Sequence, residues 1–317
     1  MSDLSIHIQG VNKRFGETHA VRDLELAVPA GSLCGFLGPN GAGKSTTIRM
    51  IMSIIYPDSG SISVLGGNAL DNKDRIGYLP EERGLYRKMR VGEFLEYVAL
   101  LKGMPKPGLT KHINDWLEKI ELPGISRKKC EELSKGMQQK IQFLVSIIHD
   151  PDLIILDEPF SGLDPVNAEL LQQLIKEMHE DGKTVIFSTH VMHQAEQLCD
   201  RFFLINKGAK LLDANPLEIQ QRFDPRTIIV EPLNGTLDYS AIPGVMNATP
   251  LPHSSALELE LTPEQNPQEI MQRLLADHPV RRVELRRLTL EEVFIRLVRA
   301  DIGEEAAVKA KEELAHV

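Results

Sequence analysis

The chain has 317 residues, of which 42% are hydrophobic and 26% charged, a composition typical of a soluble globular protein with one large domain and a small one. Its 36 basic and 45 acidic residues give a formal net charge of −9, which argues against nucleic acid as a partner. The three cysteines, Cys34, Cys130 and Cys199, form no CxxC pair, so neither a zinc site nor a disulfide partner is expected.

Strand and helix patterns alternate along the first two thirds of the chain. Residues 4–8 and 23–28 alternate apolar and polar side chains, and residues 33–37 form an apolar run that leads into glycines. A helix is expected after Lys44 and before Pro57. The remaining patterns predict helices over 91–101, 111–120, 136–149 and 166–179, and strands over 153–156 and 184–187. This alternation predicts a mostly parallel sheet between helices, with a helical insertion.

The pattern changes near residue 215. Residues 227–230, 257–261 and 282–285 predict strands, and residues 267–275 and 290–298 predict helices, which together indicate a small α+β domain over residues 225–302. Residues 303–317 are rich in Ala, Glu and Lys and predict a frayed helix or a disordered tail. We interpret the arginine-rich run over 281–299 as a solvated, internally salt-bridged face, with a regulatory or dimerising role as the alternative.

Neither a signal peptide nor a membrane span is predicted. The N-terminus lacks a basic segment followed by an apolar one, and no apolar run approaches the ~18 residues that a spanning helix needs. The sequence therefore predicts a cytoplasmic chain that does not itself cross a membrane.

A phosphate-binding loop of the form G-x-x-x-x-G-K-[ST] lies between a predicted strand and a predicted helix. Its glycines allow backbone N–H groups to point at phosphate oxygens, and the helix N-terminus adds positive potential. Lys44 is expected to reach the β- and γ-phosphates, and Ser45 to bind Mg²⁺. Alone, the loop leaves kinases, GTPases and ATPases open. The predicted nucleotide-binding residues are Gly38, Pro39, Asn40, Gly41, Ala42, Gly43, Lys44, Ser45 and Thr46.

Two carboxylates, Asp157 and Glu158, directly follow the predicted strand over 153–156. Ligands of open α/β sheets bind at the carboxyl ends of the strands, which is where these acids are expected to lie. Asp157 is predicted to hold Mg²⁺ through water, and Glu158 to orient or deprotonate an attacking water molecule. A solvated loop after a strand is the alternative for the pair taken alone.

Three further segments occur in the order found in ABC ATPases. Residues 133–140, Leu-Ser-Lys-Gly-Met-Gln-Gln-Lys, resemble the LSGGQ-type signature, residues 161–164 resemble the D-loop, and residues 188–190 resemble the segment of the switch histidine. With the phosphate loop and the acid pair, the chain resembles an ABC transporter ATP-binding protein. The resemblance implies an α/β fold: a P-loop NTPase domain over residues 1–220, with a helical subdomain at about 85–140, followed by the small C-terminal α+β domain.

The resemblance also implies roles for single residues. Phe15 matches the aromatic residue that stacks on adenine, and His190 would contact the γ-phosphate and take part in catalysis with Glu158 and Lys44. Ser134, Gly136 and Asp164 are implied to contact ATP as well. The two signature residues would do so from the opposite subunit, so that ATP lies between two copies of a homodimer. Lys135 and Met137 depart from the common signature.

A second departure concerns Glu81, which stands where the family usually has Gln. In the family this residue couples Mg²⁺ and water to the transmembrane partner, so Glu81 is a candidate metal ligand beside Ser45 and Asp157. An acidic surface loop is the alternative. Residues 79–86 and 288–294 resemble ATPase subunits of the ABC-2 type, including those linked to sodium or drug efflux.

The resemblance predicts an ATP-binding and ATP-hydrolysing subunit of an ABC-type exporter. It would drive a separate permease through ATP-dependent homodimerisation, on the cytoplasmic face of the inner (plasma) membrane. One alternative is a non-transport ABC ATPase acting on ribosomes, chromosomes or cluster assembly, although the chain has neither two such domains nor a long coiled coil. Another is a regulatory module with little turnover, against which the intact catalytic residues argue. The sequence does not reveal the cargo, because the permease reads it.

Overall fold

The structure is a computed structural model, and it describes residues 3–82, 84–224, 226–233, 242–303, 307–308 and 311–312. The chain divides into two compact units, residues 1–215 together with 294–317, and residues 216–293. The predicted tail over 303–317 lies mostly outside the described residues. Within the described ranges, no helix has the length and apolar character needed to cross a membrane.

The first unit is an α/β structure. Its strands are β1 (Leu4–Phe15), β2 (Thr18–Pro29), β3 (Leu33–Leu37), β4 (Ser59–Val64), β5 (Ile76–Leu79), β6 (Leu153–Asp157), β7 (Thr184–Thr189), β8 (Arg201–Asn206) and β9 (Ala209–Ala214). Its helices are α1 (Lys44–Ile51), α2 (Val91–Leu101), α3 (Leu109–Lys119), α4 (Lys135–Ile147), α5 (Pro165–Glu180) and α6 (Met192–Leu198).

The central sheet of this unit has the strand order β5-β6-β7-β3-β8-β9. All neighbouring strands are parallel except β8 and β9, which confirms the prediction of a mostly parallel sheet. Every residue of β3, β6 and β7 is buried, as continuous apolar runs in a parallel sheet require. Leu37 pairs with Thr189, and Asp157 with Ser188, so the carboxyl ends of these three strands lie side by side.

A second, antiparallel sheet with the order β2-β1-β4 was not predicted as a separate sheet. The composition of Asp58, Ser59 and Gly60 is typical of a turn, but β4 begins there at Ser59. Helix α1 ends at Ile51, several residues before Pro57. Apolar residues of this sheet, including Ile6 and Leu26, share one buried cluster with Phe36 and Ile155 of the central sheet.

The second unit combines a four-stranded antiparallel sheet with helices. Its elements are α7 (Pro216–Arg222), β10 (Thr227–Pro232), β11 (Val245–Pro250), β12 (Leu257–Leu261), α8 (Pro267–Asp277) and β13 (Val280–Leu285). Helix α9 (Leu290–Ile302) follows, and its residues from Phe294 onwards belong to the first unit. The strand order is β11-β12-β10-β13. Ile270 and Leu274 of α8 pack with Val230 and Leu259 of the sheet, so the pattern of residues 227–285 does predict an α+β core.

The arginine-rich run of the second unit is internally paired. The Arg286 Nε atom lies 2.6 Å from a Glu258 carboxylate oxygen, and the same guanidinium contacts Glu292. The Arg281 guanidinium lies 3.4 Å from Glu231. These contacts agree with the interpretation of a solvated, salt-bridged face.

We expect Leu153→Ala to lower the free energy of unfolding of the first unit by about 2–5 kcal/mol, the range for truncating a fully buried leucine. Leu153 is 0% exposed and belongs to the core cluster at the start of β6. Urea titrations monitored by the fluorescence of Trp116, the single tryptophan, report on this unit.

The matched control is Leu101→Ala, the same change at a residue of α2 that is 63% exposed. Its effect should stay within about 0.5 kcal/mol. Equal midpoints for the two variants would contradict the assignment of Leu153 to the core.

Candidate active site

The phosphate loop connects β3 to α1 and is pressed against neighbouring backbone. Gly43 precedes α1 with a φ of 102°, and a Cβ there would lie 2.5 Å from the Ala20 carbonyl oxygen. A Cβ at Gly38 would lie 2.1 Å from the carbonyl oxygen of Ile205. Since real Cβ atoms do not approach backbone so closely, both positions require glycine. The motif glycines therefore fix the loop against β2 and β8.

Lys44 is held inside this loop and is only 6% exposed. Its Nζ atom donates to the carbonyl oxygens of Gly38 at 2.7 Å and Pro39 at 3.2 Å, and lies 3.7 Å from Glu158 Oε1. Burial lowers the pKa of Lys44, and the negative charges of Glu158, Asp157 and Glu81 oppose this change. The loop thus contains a desolvated ammonium group, whose attraction for phosphate is stronger than it would be in water.

Asp157, at the end of β6, accepts two hydrogen bonds through one carboxylate oxygen. Its Oδ1 atom accepts from Ser188 Oγ at 2.5 Å and from Ser45 Oγ at 3.2 Å. Its Oδ2 atom is buried and accepts no hydrogen bond from the described residues. Burial raises the pKa of Asp157, and the bonds from Ser188 and Ser45 counteract this only in part. A buried carboxylate oxygen without a donor has lone pairs with which it can bind a cation.

Ser45 lies between two carboxylates, because its Oγ atom is also 3.5 Å from Glu81 Oε2. A hydroxyl and carboxylate oxygens are the ligands of hard cations, and Mg²⁺ characteristically takes one or two carboxylates together with water and phosphate. In the described part of the chain, no group of three or more His, Cys, Asp or Glu residues forms a preformed metal site. The donor set fits Mg²⁺, whose protein ligands are few.

Glu158 follows β6 in a left-handed backbone conformation with a φ of 50°. Its N–H donates to the Ser188 carbonyl oxygen at 3.1 Å, which fixes the residue beside β7. Its Oε1 atom lies 2.8 Å from His190 Nδ1 as well as near Lys44. A non-glycine residue with positive φ is uncommon and persists where surrounding contacts enforce it. This conformation carries the carboxylate towards both partners.

A cavity of about 420 Å³ lies over the phosphate loop. Of the predicted site residues, Glu81 and Glu158 line it together with the loop residues Asn40, Gly41, Ala42, Gly43, Lys44, Ser45 and Thr46. His190 reaches the same group through Glu158, and Asp157 reaches it through Ser45. Phe15 does not line the cavity; its ring is half exposed, with the Lys13 ammonium 5.5 Å from the ring centroid.

The predicted signature and D-loop residues form a second cluster, outside the residues that line this cavity. Ser134 is exposed and caps α4, its Oγ atom accepting from the Met137 N–H at 3.3 Å. Asp164 caps α5, accepting from the Asn167 N–H at 3.0 Å, and its hydrogen bonds to Asn167 lower the Asp164 pKa. A Cβ at Gly136 would lie 3.7 Å from the Leu163 side chain, so the signature segment lies next to the D-loop segment.

Helix α4 is also tied to the two loops that carry the site acids. The Gln139 side chain donates to the Pro159 carbonyl oxygen at 3.0 Å, directly after Glu158. The Gln142 side chain donates to the Glu82 carbonyl oxygen at 3.0 Å, directly after Glu81. Both glutamines are 5% exposed. The exposed signature and the acid-bearing loops are thus joined by one helix.

Sequence reasoning missed several residues of the site. The Ser188 hydroxyl, which binds Asp157, was visible only as part of the Ser-Thr-His segment. The cavity is also lined by His19, Ala20 and Arg22 of β2 and by Lys207, between β8 and β9. No local pattern marks these four residues, because they reach the loop through pairing of distant strands.

Two families match the chain. The ABC transporter family matches residues 21–161, and the family described as the C-terminal domain of DrrA1-3-like ATP-binding proteins matches residues 215–298. The ABC transporter ATP-binding protein YhaQ of Bacillus subtilis is 40% identical over 296 residues, which are 92% of this chain and 98% of YhaQ. The Nod factor export ATP-binding protein I of Ralstonia nicotianae is 34% identical over 68% of each chain.

Two solved structures match about two thirds of the chain. The ATP-binding subunit of an ABC transporter has a TM-score of 0.64 and 28% identity, over 69% of this chain and 92% of its own. The protein cbiO1 of Clostridium perfringens, part of the ABC transporter complex cbiONQ, has a TM-score of 0.61 and 25% identity, over 69% of this chain and 91% of its own.

We expect Asp157→Asn to raise the melting temperature of the ligand-free protein by about 2–4 °C, corresponding to roughly 1 kcal/mol. The folded state holds the Asp157 proton more tightly than the unfolded chain does, since its pKa is raised. The charged Asp157 carboxylate therefore lowers the free energy of unfolding. This destabilisation grows as pH rises above 3.8, the ordinary pKa of an aspartate, and is fully present at pH 7. Thermal unfolding at pH 7 in EDTA measures the change.

Asp152→Asn is the control, because the Asp152 carboxylate is about half exposed and lies 2.6 Å from Arg75 Nε. It should not stabilise the protein. A melting temperature of Asp157→Asn at or below the wild-type value would show that the buried charge is not a cost.

Proposed function

The chain belongs to the family of ABC transporter ATP-binding proteins, and from this membership and the geometry of the site we propose that it energises a membrane exporter of the ABC-2 type. Family membership confirms the predicted fold, the ATP-binding and ATP-hydrolysing activity and the role in transport. The matching families and relatives give no support to a non-transport ABC ATPase. Support for export comes from the likeness to the Nod factor export protein, which extends over 68% of the chain.

For phosphate binding we assign the loop and its lysine. The N–H groups at the start of α1 and the Lys44 ammonium attract the triphosphate, and Thr46 and the other loop residues surround it. We assign adenine stacking to Phe15, whose ring is half exposed. The observation that carries the assignment is the cluster of Lys44, Ser45, Asp157 and Glu158 at one sheet edge.

For hydrolysis we assign Glu158 as the general base. Its carboxylate accepts a proton from water as the water oxygen bonds to the γ-phosphorus and the bond to the ADP oxygen breaks. The Oε1 atom contacts His190 Nδ1 at 2.8 Å, so we assign the proton to Oε2. His190 orients this carboxylate and reaches towards the γ-phosphate. The positive φ of Glu158 sets the direction of the side chain.

We assign Mg²⁺ binding to Ser45, Asp157 and Glu81, the oxygen donors that converge on the Ser45 hydroxyl. The ion, when bound, neutralises charge that builds up on the phosphates. The buried, unpaired Asp157 Oδ2 atom supports this assignment. The carboxylate of Glu81 brings a charge to the position where the family usually has an amide.

We further propose that two copies of the chain form a head-to-tail homodimer with ATP between them. Ser134, Gly136 and Asp164 lie outside the residues that line the cavity, which supports their contacting ATP bound to the other copy. The capped, exposed N-terminus of α4 is suited to an anion. Subunits of this family work with a separate transmembrane permease, and we place the dimer beneath one, on the cytoplasmic face of the inner membrane.

We expect Glu158→Gln to bind ATP like the wild type. Its rate of ATP hydrolysis should be about 10²- to 10⁴-fold lower, because a general base usually contributes a factor of that size. Slow hydrolysis should trap an ATP-dependent dimer, which size-exclusion chromatography with light scattering detects. Wild-type turnover by this variant would contradict the role of Glu158.

A second substitution in the Glu158→Gln background tests the shared site. Gly136→Glu places a carboxylate beside the signature, where the nearest side-chain atom is 3.7 Å from a Cβ. It should keep ATP binding and abolish the ATP-dependent dimer. The control Thr110→Glu makes the same charge change at an exposed position of α3 and should keep the dimer. A dimer in both variants would contradict the composite site.

We also expect the tagged chain, extracted from membranes in mild detergent, to co-purify with a polypeptide that has several membrane spans. Mass spectrometry of the purified complex identifies it, and an untagged preparation serves as the control. Recovery of soluble partners alone would contradict the exporter.

A further inference from the structure

The charged residues that line the nucleotide cavity are unevenly distributed in depth. Three acids and three bases line it: Glu17, Glu81, Glu158, Arg22, Lys44 and Lys207. Of the bases, Lys44 is buried and lies 3.7 Å from the Glu158 carboxylate, whereas Arg22 and Lys207 are exposed. Without Arg22 and Lys207 the lining would carry two negative charges in excess, and Asp157 adds another beside Ser45. This excess of negative charge would weaken the attraction of the cavity for a polyphosphate.

The pKa of His19, which also lines the cavity, is lowered by loss of solvent and by the charges of Arg14 and Arg22. This lowering disfavours a positive charge on the imidazole. The Asn12 Oδ1 atom already accepts from the Asp23 N–H at 2.9 Å, so it accepts from His19 Nε2 as well, at 3.0 Å. The imidazole therefore donates through Nε2, in a hydrogen bond that needs no positive charge on the ring.

The backbone holds Arg22 and Lys207 beside the phosphate loop. The Arg22 N–H donates to the Gly208 carbonyl oxygen at 2.8 Å, and the Gly208 N–H donates to the Ala42 carbonyl oxygen at 2.8 Å. A Cβ at Gly208 would lie 2.6 Å from the Ala20 carbonyl oxygen, so the turn fits only with glycine there. Strand β2, this turn and the loop are thus joined residue by residue, and both cations project from the joined segment.

Neither cation is neutralised by a carboxylate. Across the described ranges, ion pairs include neither Arg22 nor Lys207, and the Arg22 Nε atom donates only weakly, at 3.4 Å, to the His19 carbonyl oxygen. Both charges therefore remain available to an anion.

We propose that Arg22 and Lys207 form a cationic rim that binds the polyphosphate of the nucleotide and makes the affinity of the site depend on nucleotide charge. The inference deepens the proposed function and rests on it. The two residues are binding residues, with no part in the chemical step. Lys44 fixes the phosphates at the base of the cavity, while the rim offsets the acids that hydrolysis requires.

The test compares Arg22→Gln/Lys207→Gln with the matched double variant Arg75→Gln/Lys176→Gln, which removes the same charge from exposed residues of the same unit. Arg75 and Lys176 pair with Asp152 and Glu180 and do not line the cavity. Calorimetric titrations of ATP, ADP and AMP in EDTA at low salt give the dissociation constants without hydrolysis.

Removal of each rim charge should raise the dissociation constant for ATP by about two- to fivefold, and of both by about tenfold, as expected for exposed charges. The effect should decrease from ATP to ADP to AMP and shrink as salt is added. The control should match the wild type. Unfolding midpoints from Trp116 fluorescence verify the fold, and the single variants carry the test if the double variant is unstable.

Equal ATP affinity of the rim variant and the control would contradict the proposal. An equal change in the dissociation constants for ATP and AMP would contradict it as well. If the wild-type protein itself fails to bind ATP, that result contradicts the proposed function and with it the proposal for the rim. These outcomes are distinct, since the first two leave wild-type binding intact.

Discussion

The site depends on three parallel strands ending side by side. Main-chain pairing sets Leu37 beside Thr189 and Asp157 beside Ser188, so the segments after β3, β6 and β7 meet at one edge. The phosphate loop comes after β3, Glu158 after β6 and His190 after β7. A slip of one residue in either pairing would turn every side chain of a strand to the opposite face. The contacts of Asp157 with Ser45 and of Glu158 with His190 would then be lost, which is why the buried register also specifies the chemistry.

Assembling these groups is costly for the ligand-free protein. Asp157 is buried with one oxygen lacking a donor, Glu158 has a positive φ, and Lys44 is desolvated. Strands β6 and β7 are buried along their whole length, and their apolar packing compensates for these unfavourable free energies. A metal ion would bind the Asp157 oxygen that lacks a donor, and a triphosphate would pair with the Lys44 ammonium. The proposed ligands therefore relieve the strain that the fold maintains without them.

Much of this arrangement is readable from sequence, and the exceptions have a common cause. Strong local patterns, such as the apolar run of β6 followed by two acids, predicted the strand and the position of the acids at its carboxyl end. Strand β4 was missed because Ser59, Gly60 and Ser61 have the composition of a turn, and their pairing with β1 overrides it. Arg22 and Lys207 were missed because they reach the loop through contacts between distant segments, such as the bonds from β2 to Gly208 and from Gly208 to Ala42. Contacts between distant segments produce no periodic pattern in the sequence.

Helix α4 shows how distant parts of the site can respond together. Its N-terminus presents Ser134 on the surface, and further along the helix Gln139 and Gln142 donate to the loops after β6 and β5. Both amides are buried, so breaking either bond would leave a polar group without a partner, at a cost of about 1–3 kcal/mol. A displacement of the exposed end is therefore transmitted to the backbone beside Glu158 and beside Glu81 rather than absorbed locally. In the proposed homodimer, a nucleotide that binds the N-terminus of α4 from a second copy would act through these two hydrogen bonds on Glu158, the proposed base, and on Glu81, the proposed metal ligand.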